Sequence, residues 1–359
     1  MPSPGEARTG ASQSRAPAQG STGPYLAQRP SFLAPKPGII PLRPLGVMEI
    51  ISGAFEALRA NPRAMFLPAL VVTSVIGIIS AAVTFVMAQP QFSALERVQA
   101  SNEPSVEEVM SSFQTTGTTL VAQSGVSLLL SLASIILTGL IIVAVSRSVL
   151  GRVATPGEVW DRVRPRIWPL IGQSLLIGLI GIVAAVVVLV VAVGLGAVVI
   201  ASITGGGEWS AAGVLAAILT IFVVTIALTI AAVYFTVRLE FSSAALILEN
   251  VGVWEGMRRS WRLTRGSFWR VLGILLLSLL ITSTLTGIVS GAVGMLGALA
   301  TLGGGLGAYS ALMAGSSFIS SLLQAAILPF ASAVTALTYI DLRMRKEGLD
   351  VELRQAAAV

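Results

Sequence analysis

The densest chemistry-bearing cluster in the chain is a run of arginines, Arg258, Arg259, Arg262, Arg265 and Arg270, interleaved with Trp254, Trp261, Phe268 and Trp269. Guanidinium groups on an amphipathic surface helix suit anionic lipid headgroups, at about 1 kcal/mol per basic residue close to a membrane. The same residues can serve as an orientation signal beside an interfacial aromatic belt. Nothing here resembles a groove-reading module, so nucleic acid is not an expected partner. Other chemistry is thin. The chain has no histidine and no cysteine. That removes Cys/His zinc sites, thiol nucleophiles, Ser-His-Asp triads, disulfides and iron–sulfur clusters together. Gly205-Gly-Gly207 and Gly303-Gly-Gly305 lack the GK[ST] ending of a phosphate loop and read as turns. No catalytic, cofactor-binding or metal-ligating residue is assigned, and no cofactor is expected.

Three glutamines, Gln123, Gln173 and Gln324, are the notable neutral polar groups near or within apolar stretches. They are expected to hydrogen-bond neighbouring helices or sit at an interface, with a substrate path as the alternative. Gly287, Gly291 and Gly294, with Ala298, put small residues on one helix face and are expected to mark close helix approach.

The elements that must position these residues follow from composition. Of 359 residues, 54% are hydrophobic and 11% charged, with mean hydropathy +0.86. Soluble domains carry about 25% charge. The chain therefore reads as an all-α polytopic membrane protein. A crossing helix needs about 20 apolar residues. Six stretches qualify: Met65–Ala88, Val121–Ser146, Trp168–Ile203, Ala211–Val237, Val271–Leu299 and Leu312–Ile340. Of 23 basic residues, 22 fall in four segments: through Arg63, 147–166, 238–270 and the C-terminal end. Arg97 alone sits with Glu96, Glu103, Glu107 and Glu108 in the remaining segment, Gln89–Gly117, which reads as a loop. Cytoplasmic loops retain Lys and Arg, so both termini are expected on the cytoplasmic side of a bacterial plasma membrane. Residues 1–44 hold nine of the 17 prolines and read as a disordered cytoplasmic tail. They lack the apolar core of a signal peptide. The six-span domain then covers 45–346, with a short tail at 347–359.

Short amphipathic segments precede the odd-numbered spans. Gly46-Val-Met-Glu49, followed by Phe55 and Arg59, has the same offsets as Gly252-Val-Trp-Glu255, followed by Trp261 and Arg265. Val47, Ile51, Phe55 and Leu58 share one face of the first; Trp254, Met257, Trp261 and Phe268 share one face of the second. Thr155-Pro-Gly-Glu158 carries a capping box with proline at the first helical position, which predicts a third such helix. Its Trp160, Val163 and Ile167 are expected to face lipid. The chain thus reads as three repeats of an interfacial helix followed by a transmembrane hairpin. Arg343 and Glu347, four apart before Gly348, should finish the last helix.

Three motifs carry a family resemblance. They are Gly38-Ile-Ile-Pro-Leu-Arg-Pro-Leu-Gly46; Arg238 and Glu249 with the run Arg259-Ser-Trp-Arg-Leu-Thr-Arg-Gly-Ser-Phe-Trp-Arg270; and Tyr339-Ile-Asp-Leu-Arg-Met-Arg-Lys-Glu-Gly-Leu-Asp350. Together they resemble the bacterial multi-pass membrane proteins named after the membrane domain of glycerophosphoryl diester phosphodiesterase. Some relatives fuse that domain to a catalytic barrel, which this chain lacks, along with the histidines its chemistry uses. For the membrane domain the resemblance implies no reaction. The expectation is a non-enzymatic organiser or regulator of membrane lipids or membrane proteins, with lipids as partners. The alternative is a small-solute or lipid transporter.

Overall fold

A computed structural model describes residues 38–100, 106–204, 211–301 and 305–349. Residues 1–37 of the expected tail, both glycine turns apart from Gly305, and residues 350–359 lie outside them. Ten α-helices run along the described chain: α1 (Val47–Ala60), α2 (Pro62–Ala100), α3 (Val106–Val149), α4 (Pro156–Val163), α5 (Ile167–Thr204), α6 (Ala211–Leu239), α7 (Ser242–Leu248), α8 (Val253–Thr264), α9 (Phe268–Thr301) and α10 (Gly305–Glu347). A 3-10 turn at Arg164–Arg166, containing Pro165, separates α4 from α5. Five of the long helices are apolar and long enough to cross a membrane. The sixth, α5, runs 38 residues without a charged side chain. The protein is an all-α polytopic membrane protein. All six expected spans lie within α2, α3, α5, α6, α9 and α10, whose ends run past them. In particular, the acidic segment between the first two spans is helical up to Ala100 and again from Val106.

Three times a short helix precedes two long ones: α1 before α2–α3, α4 before α5–α6, α8 before α9–α10. The caps follow the sequence pattern. Gly46 and Gly252 are both extended, at φ −78° and −75°, and Glu49 or Glu255 occupies the first turn after them. The Glu49 carboxylate accepts the Gly46 N–H at 2.6 Å and the Arg43 guanidinium at 2.6 Å. Thr155 Oγ1 accepts the Glu158 N–H at 3.3 Å, so the third helix starts at Pro156.

These short helices are packed into the protein more than the lipid-surface expectation allowed. In α1, Ile50, Ile51, Ala54, Ala57 and Leu58 are buried, while Phe55 is exposed and tilts against Phe330 at 4.7 Å. In α4, Val159 and Val163 are buried; of the three residues expected to face lipid, Trp160 is exposed and Ile167, the first residue of α5, is half-buried. Residues 38–44, assigned by composition to the tail, are also built in: Ile39, Ile40 and Leu42 are buried. Gly38 explains the route. A Cβ there would collide with the Ser148 and Val149 carbonyl oxygens, so only glycine lets the entry segment pass the end of α3. The Ile39 N–H donates to Ser148 O at 3.3 Å at the same crossing.

One contiguous core gathers at the arginine-rich end, from Leu42, Ile50, Ile141, Val163, Leu246, Val271, Leu337 and their neighbours. Further along the long helices, large apolar side chains such as Ile78, Phe222, Ile230, Leu280 and Ile288 stay exposed. Lipid is as apolar as leucine, so the hydrophobic effect packs helices where water is near and not where hydrocarbon already solvates them. Towards the middle of the bundle, close contact depends on small residues. A Cβ on Gly77 of α2 would lie 2.9 Å from Ser321 Cβ and 3.1 Å from a Phe318 ring carbon of α10. The expected close approach at Gly287, Gly291 and Gly294 is not found: a Cβ on any of them meets nothing within 4 Å. α9 turns that face towards open space. Gly77→Leu should therefore overpack the α2–α10 contact and cost about 1–3 kcal/mol. Gly287→Leu should leave the detergent unfolding midpoint unchanged or raise it. Equal destabilisation by both would contradict this packing.

Candidate functional site

At the arginine-rich end, the three motifs far apart in sequence converge. Asp341 of α10 has a fully buried side chain. Its Oδ1 accepts the Leu45 N–H at 2.8 Å, and its carboxylate pairs with Arg270 at 3.0 Å and Arg345 at 3.0 Å. Both guanidiniums also donate to the Leu45 carbonyl, each at 2.6 Å. Beside this knot, Glu249 pairs with Arg259 and with Arg343 (3.2 Å) and accepts from the Tyr339 hydroxyl. Glu347 pairs with Arg259 at 2.8 Å and Arg343 at 2.9 Å. The expected Arg343–Glu347 pair is present, and α10 ends there before Gly348 at φ 69°. Burial works against the charge on Arg259, but hydrogen bonding and attraction to Glu249 outweigh it and raise its pKa above the ordinary arginine value.

This geometry sorts the expected lipid contacts. Arg259 and Arg270 are committed to internal carboxylates, with side chains 14% and 27% exposed. They are structural pairs, because α8 and the start of α9 lean on α10 there. Arg258, Arg262 and Arg265 are exposed, as are Trp254 and Trp269. Trp261 is half-buried and meets Tyr234 edge to face, and the Arg238 guanidinium carbon lies 5.2 Å and 5.1 Å from the two ring centroids. Arg258 borders an apolar groove of about 390 Å³ between α6 and α8, lined by Phe235, Leu239, Trp254, Met257 and Trp261.

The second feature lies between the long helices, where packing was the expectation for the glutamines and a substrate path the alternative. Gln123 and Gln324 both line a cavity of about 740 Å³ between α2, α3, α9 and α10, with Ser80, Ser127, Thr282, Ser317 and Ser321 among its walls. A second cavity of about 330 Å³ shares Ser127 and Gln324 with it and continues past Ser131 to Ser134. A third, of about 220 Å³, shares Ser134 and reaches Thr138, Gln173 and Glu240. Along α3 the polar positions 123, 127, 131, 134 and 138 recur every three or four residues, a single helical face. At about 1.5 Å per residue that seam spans roughly 22 Å, most of a 30 Å hydrocarbon core. Gln123, Ser127 and Ser131 are exposed, whereas Ser134 and Thr138 are half-buried, so the seam deepens towards the arginine-rich end. Many lining hydroxyls spend their proton on their own helix: Thr282, Thr286, Ser317 and Ser321 each donate to the carbonyl four residues back. The lone pairs of Thr282, Thr286 and Ser321 are left for water or a ligand with donors, whereas Ser317 also accepts from the Thr84 hydroxyl at 2.9 Å. The interhelical pairing expected of Gln173 is absent: it is 1% exposed, and neither atom of its amide has a partner.

Residues 45–342 match a family model described as Domain of unknown function (DUF7847). No curated protein and no solved structure matches.

Removing the carboxylate that holds the converging motifs should be costly. Asp341→Ala strands two guanidiniums and a buried N–H and should cost about 3–5 kcal/mol, read as a lowered unfolding midpoint in detergent. An unchanged midpoint would show that the knot contributes nothing to stability.

Proposed function

The chain belongs to the family described as Domain of unknown function (DUF7847), and we propose that its membrane domain admits a small, uncharged, polar solute along the seam between α3, α9 and α10. The observation that carries this reading is the chain of three cavities sharing lining residues, the first two walled by hydroxyls and amides without a charged side chain. Placing so many polar groups against hydrocarbon is costly unless something satisfies them. Water and a polar solute do so at little cost, and the 740 Å³ of the widest cavity lies within the usual range of about 300–1,000 Å³ for small-ligand pockets. The lone pairs left by back-bonded hydroxyls favour a solute rich in donors, such as a polyol.

A native chain without cysteine gives a direct test. Single cysteines at Gln123, Ser127 and Gln324 should react with a charged, water-soluble thiol reagent in membranes. One at Leu128, exposed on a neighbouring face of α3, should react at least an order of magnitude more slowly. Uniformly unreactive seam positions would defeat the reading and point to a lipid or a polar helix filling the cleft.

The groove beside Arg258 supports a second, compatible role in holding anionic lipid. Its aromatic walls fit an acyl chain, and Arg258, Arg262 and Arg265 stand exposed for a headgroup. On this reading the arginine-rich end faces the cytoplasm of a bacterial plasma membrane. Replacing those three arginines with glutamine should lower anionic-lipid retention in native mass spectrometry, and with it the salt sensitivity of that retention, without loss of stability. Arg259→Gln should instead lower stability, because it breaks the pairs to Glu249 and Glu347. Unchanged retention in the triple variant would leave these arginines as orientation signals.

A further inference from the structure

The seam ends at a carboxylate unlike its neighbours. Glu49, Glu158, Glu249, Asp341 and Glu347 each pair with at least one arginine. Glu240 accepts a hydrogen bond from Thr335 Oγ1 at 3.0 Å, and no Lys or Arg among the described residues forms an ion pair with it. It sits in the two-residue break between the end of α6 and the start of α7, and it lines the 220 Å³ cavity. Gln173 lines the same cavity from α5, buried and unpartnered at both amide atoms. Thr138 and Thr236 are among the other lining residues; Thr138 accepts from Ser332 at 3.3 Å, and Thr236 donates back to Ala232 O at 2.9 Å.

We propose that this cavity is a binding site for a monovalent metal cation of the sodium type, held by Glu240 and Gln173 at the arginine-rich end of the seam. The charge balance supports one positive charge. A carboxylate withdrawn from water is costly unless compensated, and a single cation neutralises it. A divalent ion would leave a net charge in the site, and no three acidic or other metal-binding side chains gather among the described residues to balance it. The donor chemistry supports a hard cation: a carboxylate, an amide oxygen and threonine hydroxyl oxygens, of which Thr236 turns its proton to the Ala232 carbonyl. The place in the fold supports it too. The break puts the C-terminal end of α6, with its partial negative charge, at the cavity, since Leu239 is both the last residue of α6 and part of the lining. The inference rests on the solute-path reading only for the route by which the ion enters. Binding there would tie occupancy of the path to an ion gradient.

The test uses the purified full chain in detergent at constant ionic strength, with choline chloride replaced stepwise by sodium, lithium or potassium chloride. Wild type should bind radioactive sodium saturably, and its unfolding midpoint should rise along the same curve. Glu240→Gln preserves volume and the acceptor for Thr335. It should fold, and it should lose both responses. Gln173→Ala should raise the half-saturating sodium concentration by about tenfold or more, the loss expected for a hydrogen-bonding partner of a charged group. Saturable sodium binding that persists in Glu240→Gln would overturn the proposal. So would a wild-type midpoint that responds to pH alone and to none of the three ions, which would make Glu240 a protonation site. Sodium binding with unreactive seam cysteines would sink the solute path and leave the ion site standing. Reactive cysteines without sodium binding would do the reverse.

Discussion

Asp341 shows how the fold is held at one end. Its side chain is entirely shielded from solvent, yet it receives a backbone N–H from the entry segment and guanidiniums from the start of α9 and the end of α10. In a low-dielectric interior such a charge is tolerable only with every acceptor site used. The requirement therefore fixes three segments relative to one another at once. Leu45 is held by both its N–H and its carbonyl, so α1 must begin where it does, and α2 follows after a single residue. The second knot, around Glu249, adds α8 and the linker before it to the same end of α10.

A clamp at one end has consequences along the membrane. Long helices joined tightly where water competes for their apolar surface need less packing where lipid replaces water. α2 and α10 stay in contact through Gly77, whereas α3 and α9 flank the widest cavity. The seam exists because the bundle is pinned at its arginine-rich end and does not close at this level. Its hydroxyl lining fits the same logic, since serine and threonine can return their protons to the helix and remain stable with or without an occupant.

The three sequence motifs at residues 38–46, 238–270 and 339–350 supply Leu45, Glu249, Arg259, Arg270, Tyr339, Asp341, Arg343 and Arg345, all members of these two knots. Their distinctive residues hold helices together at one end and lie outside the walls of the two larger cavities.

The six long helices and the order of short and long elements were legible in the sequence, because a charge-free run of more than 20 residues and a capped amphipathic turn are local, periodic signals; α7 and the helical extension of α2 and α3 through the acidic segment were not. The arginine cluster was legible as a cluster, but its division was not. Arg258 and Arg259 are adjacent in sequence, and only the placement of α10 makes one an exposed cation and the other a partner of Glu249 and Glu347. Glu240 carries no signal of its own in the sequence, because nothing local shows that α6 breaks beside it and that α3, α5 and α10 close around it. Gln123, Gln173 and Gln324 were noted, yet whether an amide packs against a neighbour or faces a void depends on the distance between helices. Neutral serines and threonines leave almost no trace in hydropathy, so a polar seam assembled from separate helices appears only once tertiary packing puts their faces together.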